Sequence, residues 1–246
     1  METNNFNNFN FVSQEQSSSM SKTFMASVFS WMSAALIITT ITAYLFSHNA
    51  DLLSLIITQN PFTGRIGYTG LGIAVAFSPL AFILIMGLGF RRLSYPVLLF
   101  LFLIFATVFG ASLSTIFLRY TAASIYGTFA ASAGMFGVMA FVGYTTKTDL
   151  TKFGALLFMA LIGMIIASVV NIFMQSSGMS YIISFIGVLV FTGLTAYDVQ
   201  KLKRIGAGVE YGTETSNKLV IWGALDLYLD FINLFIYLLR LFGDRK

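Results

Sequence analysis

Cysteine is absent from the 246 residues, and histidine occurs once, as His48. Without thiols there is no disulfide framework, no cysteine nucleophile and no Cys-ligated zinc or iron–sulfur site, and one imidazole excludes a multi-histidine metal centre. Proline occurs three times, and charged residues make up only 10% of the chain, against about 25% in a soluble domain. What remains is apolar: 57% hydrophobic residues, with 26 Phe, 11 Tyr and 2 Trp. A core of this size cannot enclose them all, whereas lipid accepts them as outward-facing surface. The chain reads as an all-α polytopic membrane protein.

The net charge of +4 does not point to nucleic acid. The basic residues fall singly, in pairs and in one small cluster between apolar runs, never as a stripe or an Arg-rich arm. Residues 1–22, rich in Asn, Ser, Gln and Glu, are expected to form a flexible cytoplasmic tail. No basic start leads into a short apolar run and a cleavage site, so a signal peptide is not expected. Residues 23–246 form a single membrane domain.

Charges divide that domain into spans. The first runs from about Phe24 to Phe46, followed by a connector with Asp51, Pro61 and Arg65. The second covers about Gly67 to Phe90 and stops at Arg91 and Arg92; the third covers Tyr95 to Leu118, the fourth Ser124 to Tyr144. From Phe153 to Tyr197 there is no charge. That is too long for one crossing at about 1.5 Å per residue, so a turn is placed at Gln175-Ser176-Ser177-Gly178 and two spans are counted. The seventh covers about Leu219 to Phe242. Strands would alternate over roughly ten-residue segments instead.

With the amino terminus cytoplasmic, the inner side carries Lys22, Arg91, Arg92, Lys147, Lys152, Lys201, Lys203, Arg204 and Lys218, against Arg65, Arg119, Arg240, Arg245 and Lys246 outside. This positive-inside bias puts the carboxyl terminus outside after seven spans. Ala130, Ala131, Ala133, Gly134 and Gly137 in the fourth span are expected to permit close helix packing. No inverted repeat of the usual transporter kind is visible.

Chemistry concentrates in three acids, Asp198, Asp226 and Asp230. A charge at the bilayer centre costs about 2.5–3.5 kcal/mol on insertion scales, so a buried acid needs a partner, a proton or water. Asp226 and Asp230, four residues apart, share one helix face. Counted from the connector between spans six and seven, Asp198 lies roughly 10 Å and Asp230 roughly 20 Å into their helices. If the two face each other they cannot both ionise cheaply, and the pair shares a proton near neutral or mildly acidic pH. Such a pair suits a proton switch or a hard-cation site, and calcium would need further oxygens from carbonyls, water or Asn233. The plainer alternative leaves Asp198 in a cytoplasmic cap beside Lys201, Asp226 near the interface, and only Asp230 buried. Arg91 and Arg92 read as positive-inside anchors or as counter-charges to the acids, and Asn171 and Asn233 as lining of a polar path or helix bridges. His48 reads as interfacial. Gly206 and Gly208 lack the spacing of a phosphate loop, and no catalytic triad can be assembled, so an enzyme is not expected.

The segments Gly193-Leu194-Thr195-Ala196-Tyr197-Asp198-Val199-Gln200 and Gly223-Ala224-Leu225-Asp226-Leu227-Tyr228-Leu229-Asp230-Phe231-Ile232-Asn233 resemble the transmembrane Bax inhibitor motif family, in its bacterial branch. Phe141 to Leu150 and Ala160 to Ser168 add to the likeness, which covers about residues 20–243. The resemblance implies seven helices with the seventh central, residence in a bacterial inner membrane, and a pH-sensitive calcium leak sensed by Asp198 and Asp230. Some relatives carry a helix-two Glu, and Phe77 to Phe82 has no acid here. The implied partners are lipid, calcium and protons, with calcium as a transported or transiently bound ion and no resident cofactor. A cation/proton exchanger fits the same residues. The competing class is a membrane interaction protein that binds another membrane protein and regulates proteases or cell-death machinery.

Overall fold

The computed structural model describes residues 5–59 and 66–246; Pro61 and Arg65 of the first connector lie outside the described residues. The elements are α1 (Asn5–His48), α2 (Ala50–Ile56), β1 (Ile57–Gln59), β2 (Ile66–Tyr68), α3 (Gly70–Gly89), α4 (Tyr95–Arg119), α5 (Ala122–Thr145), α6 (Thr151–Met174), α7 (Ser177–Gly208) and α8 (Glu214–Phe242). All the helices except α2 are long and apolar enough to cross a membrane, which gives seven candidate spans. The protein is an all-α polytopic membrane protein, as its apolar runs require.

Helix α1 begins at Asn5, within the segment expected to be a flexible tail, although its candidate span begins at Ser19. No Gly or Pro interrupts residues 5–48, and a helix already nucleated by an apolar span propagates at little cost. The first connector is also more ordered than its composition suggests. Asn49 caps α2 by accepting from the Asp51 and Leu52 amides, and β1 pairs antiparallel with β2, Ile57 opposite Tyr68. Thr69 then caps α3 through the Gly72 amide, and at Gly72 an added Cβ would lie 2.0 Å from the Ile56 carbonyl oxygen.

The turn between α6 and α7 falls where Gln175 and Ser176 place it. Gln175 takes the left-handed conformation (φ 51°), and Ser176 caps α7 through the Met179 amide. Asn171 secures this corner, accepting from the Ser176 amide at 3.1 Å and donating to Ser180 Oγ at 2.7 Å.

The chain forms two compact units, Met1–Trp31 with Ala130–Leu241, and Met32–Phe129 with Phe242–Lys246. In the second, Thr39 donates to the Ala106 carbonyl and α1 meets α4 at Gly110. The first holds α6, α7, α8 and most of α5. There α8 is the most enclosed span, 67% of its apolar window being buried against 11–44% in the others. Phe231 meets Phe136 edge-on at 5.6 Å, and Tyr237 stacks on Phe191 at 5.8 Å. The small residues expected to make the close approach, Ala130, Ala131, Ala133, Gly134 and Gly137, are instead exposed. Contact forms two turns later, at Gly143, where a Cβ would sit 2.2 Å from the Ala196 carbonyl oxygen. Composition marks a helix that can approach closely; which face does so is set by rotation about its axis.

Candidate functional site

Helix α7 does not stop at Asp198. It continues for ten residues through Lys201, Lys203 and Arg204 to Gly208, so Lys201 follows one turn after Asp198 on the same face. The Lys201 ammonium lies 3.3 Å from Asp198 Oδ1 and 3.4 Å from Asp226 Oδ2, and so bridges α7 to α8. One turn further along α8, the buried carboxyl of Asp230 joins the same group of charges, facing Asp198, Asp226 and Lys201. Ionised carboxylates only accept, so a direct bond between the two forms only with a proton on one of them. Asp230 is 5% exposed, and among the described residues no donor reaches its Oδ2.

Four groups therefore form one cluster: Asp198, Lys201, Asp226 and Asp230. A pocket of about 490 Å³ opens onto it, with Asp198, Lys201 and Asp226 in its wall beside Thr151, Tyr197 and Phe158. Asp230 lies behind this wall. The pocket has room beside α6 because Gly154 presents no side chain: the Tyr197 ring lies where its Cβ would stand.

The connector between α5 and α6 is fastened to the same stretch of α7. Gln200 accepts from the Leu150 amide at 2.9 Å and donates to the Thr148 carbonyl at 2.8 Å. Arg204 reaches Asp149 Oδ1 at 2.8 Å and Thr151 Oγ1 at 3.2 Å. Lys203 donates to the Tyr144 carbonyl at 2.7 Å and lies over that residue's ring. Asp149 is consequently held below the usual carboxylate range, chiefly by the Thr151 hydroxyl and then by the Arg204 guanidinium.

The other candidates fall elsewhere. Asn171 serves the α6–α7 corner, and Asn233 donates along its own helix to the Leu229 carbonyl at 2.8 Å. Arg91 and Arg92 are exposed in the α3–α4 turn, and among the described residues neither has an ion-pair partner. The counter-charge to the acids is Lys201, which the sequence offers only as an i+3 neighbour of Asp198 and as part of the positive-inside count. As a calcium ligand set, the cluster presents Asp198 and Asp226 to the pocket rather than Asp198 and Asp230. Among the described residues no group of three His, Asp or Glu side chains is arranged around a metal position. An ion here would keep most of its water, since calcium takes six to eight oxygens.

Residues 21–246 match the family model described as inhibitor of apoptosis-promoting Bax1. The chain belongs to the Bax inhibitor family. The acid-bearing α7 and α8 lie inside the matched region. The Bax inhibitor-like chain is similar to the inner membrane protein YbhL of Escherichia coli K12, 46% identical over 227 residues, covering 92% of this chain and 93% of that protein. A protein of Borreliella burgdorferi is 39% identical over 223 residues, 91% and 92% of the two chains. A Deinococcus radiodurans protein is 36% identical over 234 residues, 95% and 96%. These full-length matches make it an integral membrane protein of this family from first span to last.

Proposed function

We propose that this Bax inhibitor family member is a pH-responsive calcium leak of a bacterial inner membrane, with its amino terminus cytoplasmic and its carboxyl terminus outside. It is not an enzyme on this reading, and calcium is its cargo. The observation that carries the proposal is the gathering of three carboxyls around the one Lys201 ammonium beside a pocket of about 490 Å³. With one shared proton and one ammonium, the three carboxyls leave a net charge of one minus. Such a site attracts a cation without holding it in a closed ligand cage, which is what passage requires. Loss of the shared proton makes the site more negative and sets the carboxyls of α7 and α8 against each other, leaving Lys201 as the link between the two helices.

The similar YbhL is an inner membrane protein, and the positive-inside count supports the orientation. Calcium entry into dye-loaded liposomes containing the purified protein, scanned over about pH 5–8, tests the proposal. Wild-type flux is expected to have a pH midpoint that Asp198→Asn and Asp230→Asn abolish. Folded protein with no flux above empty liposomes would refute the leak and favour a regulator of other proteins, the role that the family description names.

A further inference from the structure

At the opposite end of the spans from the aspartate cluster, residues 242–246 lie along the α4–α5 connector as a short antiparallel strap. The Thr121 amide donates to the Asp244 carbonyl at 3.1 Å, the Lys246 amide to the Arg119 carbonyl at 3.0 Å, and Tyr120 bridges Arg245. The Asp244 amide donates to Ser124 Oγ, and that hydroxyl donates to Asp244 Oδ2 at 3.4 Å. The Lys246 ammonium donates to the Phe117 carbonyl at 2.8 Å, one of the end carbonyls of α4 that no helical amide meets.

The pocket beside the strap is lined by charge of one sign. Arg119 from the end of α4, with Arg245 and Lys246 from the strap, frames a pocket of about 600 Å³ whose other walls include Tyr68, Thr115 and Leu118. Among the described residues none of the three cations forms an ion pair with a carboxylate. Asp244, the acid of the strap, is turned to Ser124. Three cationic side chains in one pocket wall, with Asp244 engaged by Ser124, favour an anion that enters the pocket.

Position selects the kind of anion. The 25 residues of α4 measure about 37 Å, longer than a hydrocarbon core of about 30 Å, so a cation on its last residue stands among headgroups. Exposed apolar side chains border the pocket: Tyr68 is 52% exposed and Leu118 41%, and Phe242 at the root of the strap is 73% exposed. An aromatic and aliphatic rim beside a basic pocket matches a lipid, with acyl chains on the rim and phosphate among the guanidiniums. The volume falls within the roughly 300–1,000 Å³ of small-ligand sites. We infer that this pocket binds the phosphate of an anionic phospholipid headgroup, in the leaflet facing away from the amino terminus.

Full-length protein in detergent, stripped of lipid, would be titrated with short-chain phosphatidylglycerol or phosphatidylcholine and followed by native mass spectrometry. The expected result is at least a tenfold tighter association with phosphatidylglycerol. Arg119→Gln/Arg245→Gln should abolish that preference, while Arg91→Gln/Arg92→Gln should leave it intact. Arg245 lies outside every helix, so Arg245→Gln alone, expected to weaken the preference several-fold, decides the matter if the double variant does not fold. Equal affinity for the two lipids, or a preference that survives loss of these arginines, would overturn the assignment. Displacement of phosphatidylglycerol by an equal concentration of inorganic phosphate would also overturn it, by showing a free-anion pocket.

Discussion

Replacing Lys201 by Met keeps the length and apolar stem of the side chain and removes one charge. The ammonium stands 3.3 Å from Asp198 and 3.4 Å from Asp226. Each contact is worth about 5 kcal/mol at an effective dielectric of about 20 and about 1.2 kcal/mol at about 80. Lys201 is 41% exposed, and the carboxylates are 14% and 21% exposed, so screening and the desolvation already incurred remove most of that attraction. A net loss of about 2 kcal/mol follows, a fall of about 4–8 °C in the apparent Tm for a chain of this size. The same change takes the cluster from one net negative charge to two. For a hydrated divalent cation about 6 Å from the former ammonium, losing the repulsion is worth about 1.4 kcal/mol, or about tenfold in occupancy. Lys201→Met should therefore lower thermal stability while raising calcium entry into liposomes, opposite directions that simple unfolding does not produce. An unchanged Tm together with unchanged flux would refute the electrostatic reasoning, and Lys201→Arg, which keeps the charge, should stay near wild type in both assays.

Gly143→Ala should cost more than about 2 kcal/mol, because the new methyl meets the Ala196 carbonyl oxygen at 2.2 Å and backbone cannot rotate away. Gly134→Ala, with open space at its Cβ, should be neutral or slightly stabilising, and apparent Tm values compare the two. Gln200→Leu removes both bonds to the α5–α6 connector and should speed hydrogen exchange at the Leu150 amide by tenfold or more; unchanged exchange would mean that the connector is held by other contacts. Asp149 is held below the usual carboxylate range, so the stability it contributes is present above an unfolded value of about 3.9 and is lost only as pH falls through the lower folded value. Between pH 5 and 8 its charge is constant, and Asp149→Asn should leave the midpoint of any pH-dependent flux unmoved.

Spans are legible in this sequence because each long apolar run reports its own transfer free energy, and charges such as Arg91, Lys147 and Arg204 stand near the ends. The three acids are legible for the same reason: a carboxyl in such a run is costly. Pairing between helices is not legible in this way. Lys201 looks like one more positive-inside residue until the rotation of α7 turns it toward Asp226, and Asn171 looks like a path-lining amide until the left-handed Gln175 brings Ser176 beneath it. Helix α2 and its hairpin escape notice because their order comes from the Asn49 and Thr69 caps and the close approach of α3 at Gly72 rather than from a long pattern. The fourth span shows the limit most plainly, since its row of small residues is exposed and a single glycine further along makes the contact.

That glycine also decides where movement is possible. At Gly143 and Ala196 two main chains touch with no side chain between them, and Ala196 is only two residues from Asp198. A rotamer can flip aside, but a peptide carbonyl cannot, so α5 and α7 cannot be pressed closer at this point. It works as a fulcrum. Any movement of α7 would then roll about that seam or open on the other flank, where the contact is a side chain, the Tyr197 ring resting on Gly154. The pocket lies on that flank, so this unyielding contact leaves room for movement on the side where the pocket opens.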